Sequence, residues 1–235
     1  MGTMALVIVM SVFNGLEDLI RGIFASFDAE LKIEAAVGKS FMTSEEWLES
    51  IKNLEGVAIL TEIIEDNALF DYNGNQMIGR LKGVSANFLD QERFSNGYFW
   101  GDTTFGTELN PAAILGSGVG FFLSVNLDDV NVPLKIYYPK APRSAATIDP
   151  SQFYESAILD PVAYFSIDRQ FDDEYVIAPL FFVRDLLKYG DKRTSLEVKV
   201  AKGHSIAEVH KRLKAHLGED FLVKNADEQH AGLIR

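Results

Sequence analysis

Two stretches at opposite ends of the chain carry one pattern, and that repeat limits the folds open to it. Leu31 to Ile64 and Ser195 to Val223 each read as strand, helix, glycine stop, strand. In the first, Leu31-Lys32-Ile33-Glu34-Ala35 alternates apolar and polar residues as a half-buried strand does. Thr43 stands three residues before Glu46, the spacing of a capping box. Trp47, Leu48, Ile51 and Leu54 then share one helical face, Gly56 stops the helix, and Val57 to Ile64 is a β-branched run that predicts a buried strand. In the second, Ser195 to Val200 alternates, Ser205 and Glu208 give another capping box, and Ile206, Val209, Leu213 and Leu217 form an apolar stripe. Gly218 ends that helix, and Phe221-Leu222-Val223 opens the last strand. Two βαβ units from opposite ends of a chain can share one sheet, as in split βαβ folds. Their termini then lie at one side, which suits attachment by both ends.

Between these units the patterning changes. Asn73-Gly74 between apolar segments predicts a tight hairpin whose returning strand is Gln76 to Val84. From Phe94 to Phe171 turn residues, aromatics and most of the prolines gather. Leu134 to Tyr138 and Val162 to Ile167 read as strands. Ala112 to Val125, with Gly116, Gly118 and Gly120, reads as a short helix packed through small residues. Pro139 to Pro161 reads as a long exposed excursion, and loops of that length in a compact domain tend to carry function. Beyond it, Tyr175 to Ala178 is a short strand, and Pro179 is well placed to start a helix with Leu180, Val183, Leu186 and Leu187 inward. Tyr98-Phe99-Trp100 and Phe181-Phe182 read as core. The expected class is α+β: a mixed α/β unit built from both chain ends with a β-rich insertion. The divisions are 1–30, 31–90, 91–171 and 172–235.

The first 30 residues add a second constraint. Met4 to Phe13 is apolar and uncharged; from Leu16, apolar residues recur at Leu19, Ile20, Ile23, Phe24 and Phe27, with Glu17, Asp18 and Arg21 on the other face. A helix that turns from apolar all round to apolar on one side is passing between two solvents. The run is about half the length of a bilayer span, which needs about 20 residues. The expectation is the outer end of a span continuing as one helix through about Phe27. Taken alone, the run also suits a buried strand or core helix.

Several chemistries are disfavoured. A net charge of −12 does not suit nucleic acid, whose phosphates demand a clustered basic face. With no cysteine there is no disulfide, thiolate metal site or thiol catalysis. His204, His210, His216 and His230 include no i, i+4 pair and no H-E-x-x-H, so they read as solvated groups. Gly116-x-Gly118-x-Gly120 lacks dinucleotide-loop spacing, and no Walker A motif is present. The carboxylates Glu62-Glu65-Asp66, Asp128-Asp129 and Asp172-Asp173-Glu174 read as solvated faces, with a glycosidase-like acid pair as the minor alternative. No catalytic, cofactor or metal residue is assigned.

Ala5-Leu6-Val7-Ile8-Val9-Met10-Ser11-Val12-Phe13-Asn14-Gly15-Leu16-Glu17 resembles the end of the first membrane span of FtsX-like (MacB-like) ABC-transporter permeases, closest to the lipoprotein-releasing LolC/LolE type. Gly79-Arg80-Leu81-Lys82-Gly83-Val84 and Ala113-Ile114-Leu115-Gly116 are similar to family segments in the same order, and Ile136-Tyr137-Tyr138-Pro139-Lys140 and Asp227-Glu228-Gln229-His230 to its Bacteroidetes version. The resemblance implies a periplasmic domain on an inner-membrane protein, with a Porter-like subdomain from both ends and a Sabre-like insertion. It implies no enzyme activity in this chain. It also implies a second permease subunit (homo- or heterodimer), cytoplasmic ATPase subunits and a periplasmic lipoprotein chaperone as partners. Pro139 to Pro161 falls where the family's chaperone-recruiting hook lies, though its residues depart from the hook motif. The candidate partner loop comprises Pro139, Lys140, Pro142, Arg143, Ser144, Asp149 and Phe153. Macrolide-exporter-like and cell-division-like permeases are alternatives within the family. A stand-alone periplasmic binding or adaptor module and a secreted hydrolase are alternatives outside it.

Overall fold

The computed structural model describes residues 27–92, 97–140 and 153–230. The expected membrane-stub helix lies, except for Phe27, outside the described residues. The strands are β1 (Leu31–Ala35), β2 (Phe41–Met42), β3 (Val57–Tyr72), β4 (Asn75–Val84), β5 (Tyr98–Gly101), β6 (Ala112–Gly116), β7 (Leu134–Pro139), β8 (Tyr154–Ser166), β9 (Tyr175–Pro179), β10 (Lys192–Arg193), β11 (Ser195–Val200) and β12 (Phe221–Asn225). The helices are α1 (Glu45–Lys52), α2 (Ser117–Leu123), α3 (Arg169–Asp172), α4 (Leu180–Leu187), α5 (Ile206–Leu217) and α6 (Ala226–His230).

The two repeats interleave. The order β12-β1-β11-β3 places one strand of each repeat between the two strands of the other. β1 is antiparallel to both β11 and β12, and β11 to β3, so β1 and β3 run parallel with β11 between them. This is the split βαβ arrangement. α1 and α5 cover one face, and Leu48, Ile51, Val209 and Leu213 pack there on Leu31, Ile33, Leu196 and Val198. Each such side chain contributes on the order of 1.5–3 kcal/mol by leaving water.

Neither expected capping box forms. Ser44, not Thr43, caps α1, its Oγ accepting from the Trp47 amide. The Thr43 hydroxyl instead donates to the Asp191 carbonyl at 2.7 Å, tying the end of β2 to the start of its partner β10. Ser205 caps α5 without a side-chain bond.

β3 runs on past Ile64 to Tyr72 and changes partner as it goes. Its first half pairs with β11; Leu69–Asp71 pair with β7, and the opposite edge pairs with β4 from Ile63 to Tyr72. The predicted hairpin follows, with Asn73 at φ 50° and Gly74 at φ 88°, the left-handed pair of a type I′ turn. β4 then pairs with β9, β9 with β6, β6 with β8, β8 with β7, and β7 returns to β3. Six strands thus close into a ring that shares β3 with the split sheet. Phe70, Leu81, Leu115, Leu134, Ile136, Leu159 and Val176 form its core, with α2 and α4 against it.

Three readings change here. Ala112 to Val125 is strand β6 followed by helix α2. Its glycines serve close approach: a Cβ on Gly116 would stand 2.2 Å from the Asp172 carbonyl oxygen, and one on Gly120 2.2 Å from the Tyr164 ring. The Pro139–Pro161 excursion is shorter than expected, because β8 begins at Tyr154 and pairs with β7. Pro161 is tolerated beside a shift in the β6–β8 register, where a missing N–H costs no ladder bond. Tyr98 and Trp100 are not core: they are 82% and 78% exposed on β5, which ends the sheet order; Phe99 faces inward.

A third apolar cluster joins the two halves. Phe27 packs with Ile63, Val84, Phe88, Phe165, Phe171 and Ile177. Its ring stacks on Phe171 at 4.1 Å and meets Tyr175 edge-on at 4.8 Å.

Candidate functional site

The root of the candidate partner loop is a strand pair. Pro139 stands opposite Tyr154, and the Lys140 amide donates to the Phe153 carbonyl at 2.8 Å. The Lys140 ammonium is 3.6 Å from the Glu155 carboxylate. Pro142, Arg143, Ser144 and Asp149 lie outside the described residues. A groove of 440 Å³ at this root is lined by Leu69, Gln76, Tyr137, Pro139, Phe153 and Tyr154. Cross-strand register extends it. Ile78 on β4, Leu69 on β3 and Tyr137 on β7 lie side by side on the ring's outer face, and the Tyr137 and Tyr154 rings meet edge-on at 5.3 Å. Sequence reasoning missed this stripe, because each residue comes from a different strand.

A second, polar cavity of 280 Å³ lies where β3 leaves β11 for the ring, lined by Lys32, Glu34, Lys39, Glu65, Arg80 and Thr194 among others. Its charges are matched. Lys32 is 2.9 Å from Glu34, Arg80 2.8 Å from Glu65 and Lys39 2.5 Å from Asp66, while the Tyr138 hydroxyl donates to Asp66 at 2.8 Å. Burial pushes the Asp66 carboxyl up, but Lys39, the Tyr138 hydroxyl and the Asn67 amide outweigh it and hold it below the usual range. For Glu34, burial is likewise outweighed by Lys32 and Lys224. A carboxyl depressed in the folded state contributes stability that is present above its unfolded pKa and lost as pH falls through the folded one. Lys39→Met is therefore expected to reduce the loss of melting temperature between about pH 7 and about pH 3. Thermal melts across that range check it; an unchanged acid limb would remove Asp66 from the account.

The other singled-out groups are dispersed. Glu62 pairs with Arg193 at 2.7 Å on the helix-bearing face. The Asp129 carboxylate accepts the Asn131 amide in a turn. His216 is exposed, as read, with Nε2 3.0 Å from Ser50 Oγ; His210 is more engaged than that reading allows, half-buried with Nε2 2.8 Å from the Val223 carbonyl. Among the described residues, no three His, Asp or Glu side chains converge as a metal ligand set would, and no helix is long and apolar enough to cross a membrane.

The chain's two described ends meet. Leu31 at the start of β1 pairs with Asn225 at the end of β12, and the Gln229 amide donates to the Ala29 carbonyl at 2.8 Å. α6 is fixed beside them by a reciprocal cap: the Asn225 amide donates to Glu228, and the Glu228 amide to Asn225 Oδ1, at 3.0 and 2.9 Å.

This architecture has solved counterparts. The periplasmic region of MacB from Actinobacillus actinomycetemcomitans superposes with a TM-score of 0.57 at 13% identity, over 90% of this chain and 95% of that one. The chain has the MacB periplasmic fold. The extracellular domain of the noncanonic ABC-type transporter YknZ from Gram-positive bacteria shares this MacB-like fold, with a TM-score of 0.54 at 12% identity over 83% of this chain and 99% of that one. No protein-family model and no curated protein matches the sequence.

Proposed function

We propose that the chain is the extracytoplasmic domain of an ABC-transporter permease subunit, held between two membrane-spanning segments. In this reading it couples ATP hydrolysis on separate cytoplasmic subunits to conformational change outside the inner membrane. The observation that carries it is the meeting of the two described ends at the Leu31–Asn225 pair, on a fold that MacB and YknZ domains share. A domain inserted between two spans must leave and return at one place. Within that class we propose lipoprotein release, on the resemblance of Ser11-Val12-Phe13-Asn14-Gly15 and its flanks to LolC/LolE-type permeases. The segment between β7 and β8, rooted at Pro139, Lys140 and Phe153, is the proposed surface for a periplasmic partner, and 91–171 the proposed limits of the insertion.

The absence of cysteine makes the test clean. Glu219→Cys, an exposed position beside α5, is placed in the complete reading frame with any cysteine outside these 235 residues replaced by serine, so that it is the single thiol. A membrane-impermeant maleimide should label it in spheroplasts; labelling only after lysis would refute an extracytoplasmic domain. Purified membranes with the cognate ATPase subunit should then release a diacylated lipoprotein in an ATP-dependent manner. External labelling without ATP-dependent release would keep the permease reading and reject this cargo.

A further inference from the structure

We propose that the polar cavity beside β1 binds a small phosphate monoester, its phosphate group held by Lys32, Lys39 and Arg80. This goes beyond the transport role and does not depend on it. Strand alternation assembles the site. Leu31, Ile33 and Leu196 face α1 and α5, so Lys32, Glu34 and Ser195 stand on the opposite face of the split sheet. Glu34 lies opposite Ser195, and Ser195 opposite Ile63, which puts Glu65 on that same face two residues further along β3. Arg80 reaches Glu65 from β4 at 2.8 Å, and Lys39 arrives from the loop after β1. In a chain of net charge −12, this lining carries three cationic side chains against two carboxylates.

The ion pairs use only part of the donor capacity. An ammonium has three N–H groups and a guanidinium five. Lys32 has one carboxylate partner, Glu34, although its side chain is only 24% exposed. Lys39 likewise has one, Asp66. Arg80 gives Nη1 to Glu65 and stands 3.6 Å from Glu174 through Nε; among the described residues nothing takes Nη2. Its guanidinium lies over the Tyr175 ring, 5.8 Å from the centre. The acceptors are nearly spent. Glu34 is taken by Lys32 and Lys224, and Glu65 Oε1 by Arg80 and the Tyr175 hydroxyl. The Thr194 hydroxyl accepts the Glu65 amide and donates to the Ile63 carbonyl. Of the lining side chains, Glu65 Oε2 and the Ser195 hydroxyl keep an oxygen without a partner among the described residues.

A cavity rich in charged donors and poor in acceptors takes an anion. The three cations come from three elements, and a phosphate monoester presents three terminal oxygens where a carboxylate has two. Arg80 supplies a planar fork for such a group, and the lysines point charges. Water can satisfy the same donors, but charge-assisted bonds to a dianion are about twice as strong as neutral ones. Burial pushes the Lys32 ammonium down, yet Glu65 and Glu34 outweigh it and hold it above the usual range, so it stays charged. The volume of 280 Å³ falls just under the roughly 300–1,000 Å³ of pockets for drug-sized ligands, which leaves room for an ester of a few carbons. A hydroxyl on that ester would donate to Glu65 Oε2. Because β1 belongs to the split sheet and β4 to the ring, the bound phosphate ties one to the other.

The test is isothermal titration calorimetry on the whole 235-residue chain in phosphate-free buffer, with glycerol 3-phosphate, inorganic phosphate and succinate as separate probes. Glycerol 3-phosphate should bind at one site, more tightly than inorganic phosphate and at least about tenfold more tightly than succinate. Lys32→Met and Arg80→Gln, each shown to be folded by a thermal melt, should weaken it at least about tenfold, the scale of one lost charge-assisted hydrogen bond. Lys52→Met, on α1 across the sheet, should stay within about twofold of wild type. If Arg80→Gln does not fold, Arg80→Lys, which keeps the charge and loses the fork, is read by the same measure. Succinate or inorganic phosphate binding as tightly as the ester overturns the proposal. So does a lack of saturation by about 10 mM, or an affinity that neither site variant changes.

Discussion

Lys82→Met is expected to lower the unfolding free energy by about 3–5 kcal/mol, the cost of breaking a buried ion pair by removing one partner. Methionine nearly preserves the side-chain volume, so the loss is electrostatic rather than a cavity effect. Glu197 would remain on β11 at 3% side-chain exposure, without the ammonium that lies 2.8 Å from it. Lys82→Met with Glu197→Leu should recover most of the loss, because apolar replacement of a buried pair is often neutral. Urea unfolding of the three chains checks this. A single variant within about 1 kcal/mol of wild type would mean that water reaches the pair.

Asp172→Ala is expected to cost about 3–4 kcal/mol, since it orphans several donors around one buried carboxylate. Asp172 Oδ1 accepts the Ile167 amide at 2.9 Å; Oδ2 accepts the Ser166 hydroxyl at 2.8 Å and faces the Ser117 hydroxyl at 3.4 Å. These bonds gather the end of β8, the start of α2 and α3 at one point. Asp172→Asn keeps one acceptor and turns the other towards donors, so about half the cost should remain. Asp173→Asn, at a surface pair with the exposed Arg169, should cost less than about 1 kcal/mol. Equal effects at 172 and 173 in thermal or urea unfolding would refute this division of roles.

Neighbouring residues with such different expected effects show where sequence reading stops. Asp172-Asp173-Glu174 looks like one solvated run, yet Asp172 is 7% exposed. Nothing in one-dimensional spacing distinguishes it, because its donors come from the end of β8 and from α2, the latter 55 residues away in the chain. The split βαβ unit was legible since each of its parts is local: alternation in β1 and β11, apolar stripes on α1 and α5, glycines after them. The hairpin at Asn73-Gly74 was legible for the same reason. Closure of the ring was not, because it depends on β3 changing partner between Ile63 and Leu69, and residues 64–68 show no break in pattern. The first capping box failed on competition, Thr43 being engaged by Asp191. Of the candidate loop, its position between two strands was legible but its span was not: the polar residues of Tyr154 to Asp160 obscured an edge-to-edge ladder with β7.

Pairing the two ends at Leu31 and Asn225 also decides how the domain would bear a load. β1 runs away from that point and β12 runs back to it, so a tug on both ends draws the two strands the same way and asks for no slippage between them. The strain falls on the next seam, where β11 lies between β1 and β3. Ladder bonds cross that seam at right angles to the strands, so they resist in shear, all together, rather than opening one after another like a zipper.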